Sequence, residues 1–170
     1  MNATNPYFPH KFNPNGATGY LITFRSYGTW LHGDQRGSIN RKSQNIPGTA
    51  MLSADPHIFK LEQSRLKIDP VTFNSVQREI LTVTIKEVCN FKKWELHAIN
   101  ALTQHVHAVV TASDPPDFVM NNFKSWCTRR MREKQLWTSK YSPWSRHGST
   151  RYLWNEKDLK LACAYVVHGQ

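Results

Sequence analysis

Apolar positions along the chain follow two periods, and the switches between them outline the fold. Residues 19–31, GYLITFRSYGTWL, are dense in β-branched and aromatic side chains and predict a strand. From His32 to about Pro70 the chain turns polar and irregular, with one short helix expected near HIFKLEQSRLK (57–67). In VTFNSVQREILTVTIKEVC (71–89) a helical period returns through Phe73, Val76, Ile80, Val83 and Val88, behind a proline suited to a helix start. WELHAINALT (94–103) and HVHAVVTA (105–112) read as two strands joined tightly enough to form an antiparallel hairpin. DPPDFVMNNFKSWCTRRMREKQL (114–136) predicts a helix with Val119, Phe123, Trp126 and Cys127 on its apolar stripe. STRYLW (149–154) predicts a short strand, and EKDLKLACAYVVHG (156–169) a final helix. The order β-α-β-β-α-β-α predicts an α+β fold: a ferredoxin-like antiparallel sheet with helices packed mainly on one face.

The chain's 170 residues suit one domain, expected over 18–170 with a long insertion at about 33–70, behind a flexible arm at 1–17. No apolar run is long enough to span a membrane, and the first residues lack a signal-peptide pattern. Cys89, Cys127 and Cys163 lie far apart without metal-ligand spacing, which points to reduced, mostly buried thiols in a cytoplasmic, bacterial protein. Charge changes the picture more: 22 Lys and Arg against 12 Asp and Glu leave +10, a balance that favours an anionic partner such as nucleic acid.

Candidate chemistry begins at TQHVHAVVTA. In a strand, residues i and i+2 share a face, so His105 and His107 project side by side while Val106 enters the other face. Two neutral imidazoles so placed can chelate one divalent ion; the plainer reading is a pair of hydrogen-bonded or surface histidines. In the last helix, Leu159, Ala162, Cys163, Val166 and Val167 define a buried stripe. Tyr165 lies roughly 130° from the centre of that stripe at 100° per residue, on the flank where a hydroxyl can face a cleft. A phenol is a poor nucleophile until a base or a polarised electrophile assists it, and an ion on the histidines would give the second kind of help. Two histidines leave a metal short of ligands. The position one turn beyond Tyr165 is Gly169, so Gln170 is the first candidate for a third ligand and His168 the second.

Taken together, these features resemble the single-tyrosine HUH transposases, insertion-sequence enzymes acting on single-stranded DNA, and look most like the REP-associated tyrosine transposase branch. His105–Val106–His107 matches the histidine–hydrophobic–histidine motif, and Tyr165 in AYVVHGQ matches the tyrosine of the C-terminal helix. YLITFRSYGTWLHGD and SRHGSTRYLW look like segments of that branch, and the resemblance runs from about Gly19 to Gln170. It implies a Mg²⁺ or Mn²⁺ ion on the two histidines and a polar residue of the tyrosine helix. It also implies cleavage and rejoining of single-stranded, hairpin-associated DNA through a 5′-phosphotyrosine. Relatives commonly place the third ligand four positions after the tyrosine, where this chain has Gly169. A monomer is expected, with a homodimer exchanging tyrosine helices as the alternative.

Separate residues are candidates for binding DNA. Lys124, Arg129, Arg130 and Arg132 form a basic helical run beside Trp126 and Trp137. Arg146, His147 and Arg151 make a second patch near Trp144. Arg25 and Tyr27, with His32 and Asp34, face DNA or order the local turn. Three rival readings stand beside the transposase: a non-catalytic, domesticated regulator that binds single strands or hairpins, a metal-dependent phosphodiesterase using water, and a structural metalloprotein.

Overall fold

In this computed structural model residues 16–38 and 51–169 are described, so most of the expected arm at 1–17, and 39–50 of the expected insertion, lie outside the described residues. The elements in chain order are β1 (Gly19–Ser26), α1 (Pro56–Ser64), α2 (Ser75–Lys92), β2 (Glu95–Ala101), β3 (His105–Thr111), α3 (Pro116–Glu133), β4 (Trp144–Leu153) and α4 (Glu156–His168). The strands form one antiparallel sheet in the order β2-β3-β1-β4. β1, α2, β2, β3, α3 and β4 thereby make the expected ferredoxin-like α+β unit, with β3 inserted between the parallel pair β1 and β2.

Alternation along the central strands divides the core in two. Tyr20, Ile22 and Phe24 of β1 and Val106, Ala108 and Val110 of β3 pack against α2 and α3, through Leu81, Ile85, Val119, Phe123 and Met131. On the opposite face Ala98, Val109 and Leu153 pack against Leu159, Ala162 and Val166 of α4. Burial on both faces explains why β3 reads as a nearly continuous apolar run after its histidines. Two long helices thus share one face, and among the described residues α4 is the helix that covers the other. Each fully buried Val, Leu or Phe stabilises by about 1.5–3 kcal/mol, and α4 is held on the sheet through Leu159, Ala162 and Val166.

Several element boundaries differ from the periodic reading, each for a local reason. α2 starts at Ser75, because the Asn74 side chain accepts the Gln77 N–H and the Gln77 side chain accepts the Asn74 N–H. Val71 and Phe73 before it are extended and donate their N–H groups to Tyr27 and Thr103 carbonyls. Its buried stripe is Leu81, Thr84, Ile85, Val88 and Cys89, whereas Val76 and Val83 are exposed. β1 stops at Ser26, where Gly28 adopts a positive φ of 73° and turns the chain. β4 begins at Trp144, not Ser149: after the buried Trp144 its first half is an edge run of partly or fully exposed Ser145, Arg146, His147 and Gly148, with no apolar alternation to reveal it.

Candidate active site

The strand register arranges the α4 face of the sheet as cross-strand rows. Directly opposed residues of antiparallel strands share a face. Ala98, Val109, Leu21 and Arg151 form one row, of which the first three lie under or beside α4. The next row crosses all four strands as Asn100, His107, Thr23 and Ser149. Beyond it His105 stands opposite Arg25. The histidines therefore begin where the apolar contact with α4 ends.

His105 and His107 project from the same face as expected, their ring centroids 4.7 Å apart and their planes nearly perpendicular. His107 is buried, and its Nδ1 lies 2.7 Å from the Thr23 hydroxyl. That contact engages one ring nitrogen from the neighbouring strand, so an ion at this ring would be taken by Nε2, with Thr23 orienting the imidazole from behind. Tyr165 projects from α4 toward the same place: its ring is 5.5 Å from His107 and remains half exposed. Its position off the buried stripe is what leaves the phenol accessible. The last turn of α4 is tied to the sheet by Asn100, whose Nδ2 donates to the Val166 carbonyl at 3.1 Å.

The third ligand is the incomplete part. Two adjacent imidazoles, one oriented by a hydroxyl, fit a divalent ion. Among the described residues, however, no group of three His, Cys, Asp or Glu side chains is gathered at a metal-sized site, so His168 does not complete the pair. His168 is exposed at the end of α4. Gln170 lies outside the described residues. At Gly169 an added Cβ would meet the Tyr165 carbonyl at 2.8 Å and its ring at 2.9 Å, so the tyrosine ring occupies the space a ligand side chain there would need.

Of the expected DNA-binding cations, those of α3 lie away from this site. α3 lies across the sheet from Tyr165, and its charges are engaged locally. Lys124 is a correction to the sequence reading: only 7% exposed, it donates its ammonium to the Ser145 and His147 carbonyls and fastens β4. It follows the apolar stripe of α3 by helical spacing, where its long stem is buried beside Phe24. Arg130 pairs with Glu87 of α2 at 2.7 Å, Arg132 donates to the Ser139 and Lys140 carbonyls, and Arg129 lies over Trp126. Tyr27 is also used locally, accepting the Lys67 N–H. On the edge strand Arg146, His147 and Arg151 are exposed, and Arg151 belongs to the α4 side by its register with Leu21.

Arg25 stands beside the histidines, directly opposite His105. Burial lowers its guanidinium to about 10, Arg36 pushes the same way, and Tyr165 and Asp34 draw it back up. Thr23 and Asn100, unmarked by motif, are the positioning residues that the sequence reading missed. Alternation in GYLITFRS places Thr23 with Leu21 and Arg25, but only the register sets it opposite His107.

No protein-family model and no curated protein matches the chain. Among solved structures it is similar to a REP-associated tyrosine transposase bound to a REP hairpin, with a TM-score of 0.48 and 16% identity over 98% of this chain and 70% of that one.

Proposed function

We propose that this protein is a metal-dependent single-strand DNA endonuclease of transposase type, with Tyr165 as nucleophile and His105 and His107 as two ligands of a Mg²⁺ or Mn²⁺ ion. The observation that carries the reading is the convergence of a strand-borne histidine pair and a half-exposed tyrosine of another element, 5.5 Å from His107, at one end of the sheet. The net charge of +10 suits a polyanionic substrate. Single-stranded or hairpin-associated DNA is the proposed partner, because its phosphodiester can reach a phenol that stands at the surface.

When bound, the ion would draw charge from a phosphate oxygen. The protein's own contribution is orientation. Thr23 holds His107, Asn100 holds the helix turn carrying the phenol, and α4's apolar stripe fixes that helix on the sheet. The Tyr165 oxygen forms a bond to phosphorus, the bond from phosphorus to the 3′ oxygen breaks, and the departing oxygen takes a proton as the phenol loses one. The products are a 5′-phosphotyrosine and a free 3′-hydroxyl. Because the phosphotyrosine is itself a phosphodiester, a second 3′-hydroxyl can reverse the step and rejoin a strand without ATP.

The test is incubation of the full chain with labelled single-stranded hairpin DNAs and Mn²⁺, followed by a denaturing gel. A covalent adduct is expected from the wild type and none from Tyr165→Phe. Cleavage surviving in Tyr165→Phe would move the reaction to a water nucleophile. Hairpin binding with no cleavage under any metal would favour the non-catalytic regulator, a reading that Gly169 in place of a ligand supports.

A further inference from the structure

We propose that Arg25 receives the scissile phosphate at Tyr165, as the guanidinium that takes up the charge developing on its non-bridging oxygens. The inference rests on the tyrosine-nuclease reading and gives that reaction a residue for its anionic transition state. Three observations carry it. Arg25 shares the α4 face with Thr23 and stands directly opposite His105, one row from His107. The α3 cations lie across the sheet, so they cannot serve the same phosphate. The third observation is that Arg25 is held by a built support.

That support is the turn after β1. The Arg25 guanidinium lies over the Trp30 ring, 3.8 Å from its centroid, and the Arg36 guanidinium lies 4.8 Å from the same ring. Trp30 is pinned by its indole N–H to the Gly37 carbonyl at 2.6 Å, and Arg36 donates to the Thr29 carbonyl. Both Asp34 oxygens accept from Arg36, at 2.8 and 2.6 Å. The Asp34 carboxylate near Arg25 is therefore committed to the other arginine, and among the described residues Arg25 forms no ion pair. A half-buried guanidinium stacked on an aromatic face keeps its N–H edge for a planar or tetrahedral oxyanion, and its fixed plane removes the entropy cost of ordering it on the substrate. Such preorganised charge acts most strongly where negative charge grows during reaction.

The test uses the hairpin oligonucleotide that gives the adduct, with its mapped scissile phosphate either native or replaced by methylphosphonate, which removes one negative charge. Arg25→Ala is expected to slow adduct formation on the native phosphate by roughly 100-fold, with hairpin affinity changed by less than about threefold and thermal melting unaltered. On methylphosphonate, wild type and Arg25→Ala are expected to react at nearly the same rate, because the charge that Arg25 meets is gone. Should Arg25→Ala loosen the fold, Arg25→Gln keeps most of the stem on Trp30 and is expected to show the same coupling. Equal loss on both substrates, or a loss of binding that accounts for the loss of rate, overturns the assignment of Arg25 and leaves Tyr165 standing. A wild type that forms no adduct overturns the nuclease reading and this inference together.

Discussion

At the scale of single residues, the structure separates side chains that share a type and differ in role. Lys124 and Arg25 are both cations, yet one is buried and tied to two β4 carbonyls while the other lies beside the histidines. Lys124→Met is therefore expected to lower stability by about 1–2 kcal/mol, since it strips a charged donor from two partly buried carbonyls. The urea midpoint should fall while the salt dependence of DNA binding stays as in the wild type; a shallower salt slope at unchanged stability would restore Lys124 to the DNA surface. Thr23 is the converse case, a small side chain in a strand with no motif to mark it. Thr23→Val keeps the shape and removes the hydroxyl from His107 Nδ1. Manganese affinity measured by calorimetry is expected to fall about 10- to 100-fold; an unchanged affinity would mean that Thr23 does not orient the ring.

At the scale of elements, α4 decides whether the site exists. It meets the sheet through Leu159, Ala162 and Val166, and the tie from Asn100 to the Val166 carbonyl sits next to the nucleophile. Losing that one neutral hydrogen bond should cost only about 1 kcal/mol, but a small shift of the last turn moves the phenol relative to His107. Asn100→Ala is accordingly expected to slow adduct formation on the order of tenfold or more with little change in melting temperature. A proportional loss of stability and rate would show instead that Asn100 supports the fold as a whole. The stripe of α4 was legible because its period is local. The start of β4 was not, since an edge strand of serine, arginine, histidine and glycine has no apolar face to alternate. Val76 and Val83 of α2 misled for a related reason: apolar residues beyond the true stripe fit a helical period yet stay in water.

At the scale of the whole molecule, charge and topology act together. The turn after β1 is closed by Asp34, whose carboxyl is lowered from 3.8 to about 2, chiefly by its hydrogen bond from Arg36. A carboxylate depressed in the folded state contributes stability above its unfolded pKa and loses it as pH falls through the folded value. Wild type is thus expected to lose its advantage over Asp34→Asn between about pH 4 and pH 2, and to keep it unchanged from pH 5 to 7. Urea midpoints across that range check it, and a constant difference down to pH 2 would contradict the linkage. The chain alone settled the element order, the shared face of His105 and His107 and the off-stripe position of Tyr165, because each follows from a period of two or 3.6 along contiguous residues. The approach of Tyr165 to His107, the Thr23 and Asn100 contacts, the burial of Lys124 and the placing of the α3 arginines on the other face of the sheet were decided by tertiary structure. Strand register and the choice of sheet face join residues far apart in the chain, and no local period encodes that pairing.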